Sequence, residues 1–428
     1  MDGGASTTPV AEGEEVPFGI EELFYSRTDG RGVILAGNQV FQRVSCYPWA
    51  RLIGAPHKII RNPVTPKAVF RILWKTIEAG EPAVAYVCNR AEDGRPYWVL
   101  ATILPFDGGY LSIRIKPSST LFPVVKTLYA ELCAAELAGA SIEEGVAEIG
   151  RVLALHGFAD YPAFMRAALR SEYIARAAAT RLASPLPEEV IAAISQGLGD
   201  AKASQHRLRT EFEGMKILPT NLSILAARLE PEGGPLGAVA GLYMSGTLET
   251  LAQISAFTSG EASLCNRMSE RFDRAVFMVT CAELQREMGV QVGHEDWGGS
   301  GLDPAEETRH LEALGRRYEQ AAMEAIDQAC DLAKVIERAG AELRRSMLSL
   351  ETVTVMGKVE GARLGTEGDR IRTTIESLHV LNSEISAVLA RIGDLSAMID
   401  RGMGEIRDGF RDGGRRRGRN RAVAVAAA

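Results

Sequence analysis

"PHKIIRNPVTPKAVFRILWKTIEAGEPAVAYVCNR" (56–90) decides how the first quarter of the chain is read. From Lys67 onward Val69, Phe70, Leu73, Trp74 and Ile77 recur at three- and four-residue spacing, and Gly80 closes the run. That pattern predicts an amphipathic helix with a glycine stop. The next residues, "AVAYVCNR" (83–90), form an apolar run of strand length. Two more such runs follow, "YWVLATILPF" (97–106) and "GYLSIRIKP" (109–117), set apart by "EDG" (92–94) and "DGG" (107–109). Turn residues between β-rich runs predict an antiparallel meander. Upstream, "GVILAGN" (32–38) reads as a strand and "NQVFQRVS" (38–45) as a short helix. Residues 19–118 are therefore expected to form one α+β domain.

Beyond Pro117 the strand signals stop. The chain has 428 residues, enough for two to four domains. It is 46% hydrophobic but only 6% aromatic, which suits long helices better than β-sandwiches. A net charge of −7 argues against general nucleic-acid binding, which needs a basic footprint. Six scattered cysteines, none at CxxC spacing, read as reduced thiols. The acidic N-terminus has no apolar run of signal-peptide type, and no stretch approaches the ~20 apolar residues of a membrane span. A cytoplasmic protein is expected. Residues 1–18 are Gly-, Ser-, Thr-, Pro- and Glu-rich and read as disordered, 119–186 as a helical connector and 187–402 as an all-α, coiled-coil-rich region. The segment 403–428, with "RRRGRNR" at 415–421, reads as a disordered basic tail.

Within the helical region Leu343, Met347, Leu350, Thr354 and Gly357 step by four and three, as do Ile371, Ile375, Leu378, Asn382, Ile385, Leu389 and Ile392. Sustained spacing of this kind predicts a coiled-coil seam, with Asn382 as a buried register-setting residue. A homodimer through 304–402 is the expectation, since a lone long amphipathic helix is poorly stable in water. Two segments also resemble each other: "NLSILAARLEPEGGPLGAVA" (221–240) and "MGKVEGARLGTEGDRIRTTI" (356–375). Each is an apolar helical run, a small-small-Arg triplet and a glycine-bearing turn.

Asn38, Phe41, Val44, Ser45, Tyr47, Leu52, Gly54, His57, Ile60–Pro63, Pro66, Phe70, Trp74, Gly80, Asn89–Arg90, Asp93–Gly94 and Tyr97–Val99 fall in an order and spacing similar to the PAS domain of Aer-type aerotaxis receptors. The resemblance covers almost the whole of 19–118. It implies a PAS fold and places the opening stretch on the lining of a flavin (FAD) pocket. The family pattern there is Ile-Arg-His-Pro-Asp-x-Pro. This chain keeps Arg61, Pro63 and Pro66 but has Asn62 for the His and Val64 for the Asp, and Ala83 where an aromatic is usual. Arg61 has the charge to meet a phosphate or ring oxygen, Trp74 the face to pack on a ring, and Asn62 the amide to meet a ring edge. Asn38 and His57 complete the candidate cofactor set, with His57 the candidate axial ligand were the group haem. A cavity that is empty or takes a small ligand is the remaining alternative, with His57 then a turn residue and Trp74 plain core.

The segment 221–240 resembles a degenerate hairpin tip of methyl-accepting chemotaxis receptors. Asn221, Ile224, Ala226, Ala227, Arg228, Glu232 and Gly233 fit its pattern, while Leu225 stands where the family has Glu. The second segment keeps Glu360 and Arg363, followed by Gly365 and Gly368. The resemblance implies contact with the chemotaxis histidine kinase CheA and its adaptor CheW through Arg228, Glu232, Glu360 and Arg363. No nucleophile elbow, P-loop, zinc-protease motif or kinase signature is found, so enzyme activity is not expected. The expected function is a PAS-based sensor of redox, oxygen or a small ligand that signals to a kinase complex. The alternative is a non-catalytic PAS and coiled-coil scaffold for motility or cell-pole machinery.

Overall fold

The computed structural model describes residues 14–106, 108–180, 188–215, 217–228, 234–258, 263–293, 303–363 and 369–426. Five antiparallel strands form one sheet: β1 (Phe24–Asp29), β2 (Ile34–Gly37), β3 (Ala83–Arg90), β4 (Pro96–Phe106) and β5 (Gly109–Ile115), in the order β2-β1-β5-β4-β3. Between β2 and β3 run α1 (Gln39–Ser45), α2 (Trp49–Leu52), a 3₁₀ turn at His57–Ile60 and α3 (Lys67–Glu78). Gly80 takes a φ of +81° just past α3, the left-handed conformation the glycine stop provides. The expected strands and helices are present, and β1 is added to them. The segment "FYSRTD" shows no alternation of apolar and polar residues because both faces of β1 are covered, one carrying Ser26 and Thr28 and the other Tyr25 and Arg27.

The remaining elements are helices: α4 (Leu121–Leu137), α5 (Ile142–Leu155), α6 (Tyr161–Thr180), α7 (Glu188–Met215), α8 (Ile217–Arg228), α9 (Gly234–Thr258), α10 (Leu264–Val292), α11 (Pro304–Arg363) and α12 (Asp369–Ala426). The chain divides into two compact units. One holds residues 1–184 and 276–323, the other 185–275 and 324–428, with α10 and α11 each contributing to both.

In the first unit helices cover one face of the sheet. Tyr129 on α4 donates its hydroxyl to the Tyr86 carbonyl (2.9 Å), and Glu172 on α6 accepts from the Tyr86 hydroxyl (2.9 Å) and the Ser119 hydroxyl (2.7 Å). Residues 119–180, expected as a connector, thus pack as part of the unit that holds the sheet. Residues 14–18 also depart from expectation. Val16 and Phe18 are buried and the Val16 N–H donates to the Pro96 carbonyl (3.0 Å), so this stretch is fixed to the sheet by its apolar side chains.

In the second unit Leu343, Met347, Leu350 and Thr354 of α11 and Ile375, Leu378, Asn382, Ile385, Leu389 and Ile392 of α12 are all buried within the single chain. The side chain of Ile371 lies outside the described residues. The seam expected to pair two copies is filled from within: the Tyr243 hydroxyl on α9 donates to Asn382 Oδ1 (2.9 Å), and Asn382 Nδ2 donates to Thr354 Oγ1 (3.4 Å). Gly246 on α9 admits Leu350, whose Cδ2 would lie 2.8 Å from an added Cβ, and Gly402 on α12 admits Val190 and Ile194 of α7 in the same way. The seam also continues past 402 through Met403, Ile406 and Phe410, all buried, and α12 runs to Ala426. The expected disordered tail from 403 is therefore helix at least through its apolar part, because the three-four repeat does not stop there.

Both repeat segments join two helices, α8 to α9 and α11 to α12. Leu222, Ala226, Leu236 and Ala240 share one cluster with Ile375. Aligned positions match in exposure: Ala226 and Gly361 are buried, while Arg228 and Arg363 are exposed.

Replacing Ile385 by Asp puts a carboxylate at a fully buried seam position and is expected to destabilise the helical unit by several kcal/mol. Thermal circular dichroism of the full chain should show the helical transition shifted well down, with Glu384→Ala, an exposed neighbour, within about 0.5 kcal/mol of the parent.

Candidate functional site

The opposite face of the sheet and α3 enclose a cavity of about 200 Å³. Strand periodicity selects its walls. Residues two apart point to one face, so β1 contributes Ser26 and Thr28, β3 Val87 and Asn89, β4 Ala101 and Ile103, and β5 Tyr110, Ser112 and Arg114. The register agrees, with Ser26 directly opposite Ser112 and Thr28 opposite Tyr110. From α3 come Phe70, Leu73, Trp74 and Ile77, one turn after another. The rim is closed by Arg31, Gly32, His57, Lys58 and Arg61.

Aromatic rings hold the walls. Trp74 meets Tyr110 edge to face, centroids 5.7 Å apart, and His57 lies parallel to Phe41 at 6.2 Å. Gly32 has a φ of +76°, and a Cβ there would stand 3.1 Å from the Trp74 ring. Only glycine meets both demands. The Arg61 guanidinium lies 3.8 Å from the centre of the Phe70 ring, a cation–π contact at the mouth.

The electrostatics are one-sided. Arg114 is buried, and its Nη2 donates to Ser26 Oγ (2.7 Å) and to His57 Nε2 (2.6 Å). Burial lowers Arg114 to about 10, so it stays charged at neutral pH. Burial first, then the Arg114 and Arg61 charges, hold His57 well below its ordinary range. His57 is therefore neutral, and accepting at Nε2 places its proton on Nδ1. Among the described residues that line the cavity none is acidic, while Arg31, Lys58, Arg61 and Arg114 are basic.

Three of the five expected cofactor residues, His57, Arg61 and Trp74, line this cavity. Asn38 does not. Its Oδ1 accepts the N–H groups of Tyr25 (2.9 Å) and Phe41 (3.1 Å), capping α1. Nor does Asn62, whose Oδ1 accepts the Val64 N–H in a turn (3.1 Å). His57 Nε2 is engaged by Arg114, so it is not presented as an axial ligand. Sequence reasoning missed Arg114, Ser112 and Asn89. The available signal was the polar set 110, 112, 114 alternating with Leu111, Ile113 and Ile115 on a strand covered on both faces. Burial lifts the Cys88 thiol to about 12, and burial with the Asp93 charge raises Cys46, so neither has thiolate character.

The other face of β1 carries a second polar constellation. The Tyr25 hydroxyl donates to Glu307 on α11, and Arg27 donates to the same carboxylate through Nε (3.1 Å) and Nη2 (2.5 Å). Arg176 on α6 pairs with Glu287 on α10 and donates to the carbonyls of Ile20 and Glu21 (each 3.1 Å).

Of the expected partner-binding residues, Arg228 is exposed at the end of α8. Arg363 donates to Glu360 across one turn (2.8 Å). Glu232, Gly233, Gly365 and Gly368 lie outside the described residues. Among those residues no helix is long and apolar enough to cross a membrane.

No family model matches the chain. Its N-terminal region is similar to an aerotaxis receptor of Escherichia coli (strain K12), 35% identical over 132 residues, which cover 30% of this chain and 26% of the receptor. The chain is also similar to nitrogen fixation regulatory proteins of Klebsiella pneumoniae and Klebsiella oxytoca, 30% and 29% identical over 80 residues, or 19% of this chain and 16% of each relative. The chain thus spans about a quarter or less of these curated relatives. With the five-stranded antiparallel sheet, they support a PAS-type sensor.

The neutral His57 gives the first unit a pH limit. An unfolded chain protonates this residue near pH 6.5, whereas the folded cavity resists the charge. The unfolded state then binds more protons, so stability should be full above about pH 6.5 and fall as pH drops below it. His57→Gln should flatten that acid limb in thermal melts between pH 5 and 7.5 while leaving the alkaline side unchanged.

Proposed function

We propose that this chain is a PAS-type redox sensor in which the sheet cavity holds a flavin and the long helices pass its state to a chemotaxis-type kinase complex. The observation that carries the reading is the buried guanidinium of Arg114 in a cavity whose lining holds no carboxylate, with Lys58 and Arg61 at its exposed rim, which calls for an electron-rich or anionic guest. A volume of about 200 Å³ is below the roughly 300–1,000 Å³ that encloses a whole drug-sized ligand. It suits a flat ring inside, with any phosphates at the mouth beside Arg31, Lys58 and Arg61. The residues fit such a group: Trp74 and Tyr110 supply flat apolar walls, and Arg114 and Ser112 supply donors. A bound flavin would contribute reversible electron uptake. The protein's own part is to bind and orient the ring and to keep water from it.

β1 supplies the route out. Ser26 and Thr28 face the cavity, and Tyr25 and Arg27 grip Glu307 one residue away on the opposite side. A change of charge in the cavity that moves Arg114 moves Ser26, and with it the Glu307 anchor. Two ligand states then bias two settings of α11. α11 continues unbroken to Arg363, inside the second hairpin segment (356–375). The kinase CheA and adaptor CheW are the partners we assign to the two hairpins, with Arg228 the leading contact because it is charged, exposed and preceded by two alanines.

Protein purified from its own host should absorb between 350 and 500 nm with a flavin profile, and Arg61→Ala should lose part of the bound colour. A colourless parent refutes the flavin and favours a scaffold, and a Soret band near 400 nm moves the assignment to haem. Arg228→Ala should leave folding intact yet abolish co-purification with CheA and CheW. Capture at parental strength by the variant, or none by the parent, removes the chemotaxis output.

A further inference from the structure

Arg114 stands out among the groups that the fold does not need for itself. Its side chain is 3% exposed, it sits on a central strand, and no carboxylate lines the space it faces. Nη2 is used twice, on Ser26 and His57, both uncharged. Nη1 is buried with no hydrogen-bond partner among the described residues. Two residues earlier on the same face, Ser112 Oγ is in the same condition. The Phe41 ring shields the guanidinium from one side at 5.4 Å. A buried cation without a counter-charge is costly, and an unmade hydrogen bond adds to the cost. Leu, Met or Ile would fill a central strand position at no such expense. Donors so aligned in an apolar-walled slot are complementary to a missing acceptor.

We propose that Arg114 and Ser112 are the ligand-recognition pair of the cavity. Arg114 Nη1 receives an acceptor edge of a planar ring, a ring carbonyl or its ionised neighbour, with Ser112 Oγ donating beside it. Such a pair binds the more negatively charged state of its ligand more tightly, because the guanidinium is already unscreened and in place. The residue therefore selects heteroaromatic ligands with carbonyl acceptors and raises their affinity for electrons. This rests on the reading of the cavity as a ligand site. It goes beyond that reading by naming the residue that chooses the ligand's chemistry and charge state.

The test uses the full chain stripped of ligand, FAD as the probe, and the variants Arg114→Met and Arg114→Lys. Fluorescence quenching should show Arg114→Met binding FAD at least roughly tenfold more weakly than the parent, the loss of a charge-assisted hydrogen bond, with Arg114→Lys in between. The potential of FAD that still binds should shift to more negative values in Arg114→Met, which a merely structural role does not produce. A second readout does not depend on FAD. Stripped Arg114→Met should melt at or above the parental temperature, because the unpaired buried charge is gone. A stripped variant melting well below the parent makes Arg114 a structural strut and overturns the proposal, as does unchanged affinity with unchanged potential. If the parent binds no FAD, the flavin reading falls, and the melting comparison alone then decides on Arg114.

Discussion

A guanidinium without a counter-charge in the middle of an antiparallel sheet is the constraint around which the sensor unit is arranged. Arg114 adds its charge to the burial that keeps His57 neutral, holds Ser26, and leaves one donor turned into the cavity. The cost of that arrangement is borne by the rest of the unit. Trp74 and Tyr110 wall the space, the Phe41 ring lies over the guanidinium, and Gly32 lets the Trp74 ring approach the backbone. Buried charges of opposite sign are kept on the other side of the sheet, where Glu172, Glu287 and Glu307 are each met by hydroxyl, guanidinium or backbone N–H donors.

An unpaired guanidinium on one face and paired charges on the other let one strand serve two purposes. β1 is covered on both sides, so a shift of its backbone is felt at the cavity and at α11 alike. The carboxylate of Glu307 is 2% exposed and doubly held, which makes it a stiff attachment rather than a solvated surface pair. In the second unit the repeated hairpin gives one chain the helices that a seam of this kind otherwise recruits from a second copy. Tyr243, Asn382 and Thr354 set its register with polar contacts that apolar packing alone would leave undefined.

The sequence was legible where one physical signal dominates. Apolar strand runs bounded by glycine turns located β3, β4 and β5, and the spacing of Leu73, Trp74 and Ile77 located α3. β1 was hidden because a strand buried on both faces with polar residues on each has no period-two signature. The heptad at 371–392 announced a covered face, but periodicity does not say which chain covers it. Tyr243, the partner of Asn382, lies 139 residues away. His57, Arg61 and Trp74 were found through residues in one short stretch. Arg114 was not, since its role depends on which face of β5 it occupies. Asn38 was misplaced because a buried cap and a ligand-binding amide look alike until the backbone N–H groups of Tyr25 and Phe41 are seen to fill it.

The central claim is that the ligand's state reaches α11 through β1. Hydrogen–deuterium exchange on the full chain, purified with its ligand and compared aerobically and after anaerobic reduction, tests it directly. Amide protection should change together in β1 at 24–28 and in the first turns of α11 around Glu307, and this joint change should vanish in Glu307→Ala. Reduction that alters the cavity residues while leaving the start of α11 at its original exchange rates would contradict the account.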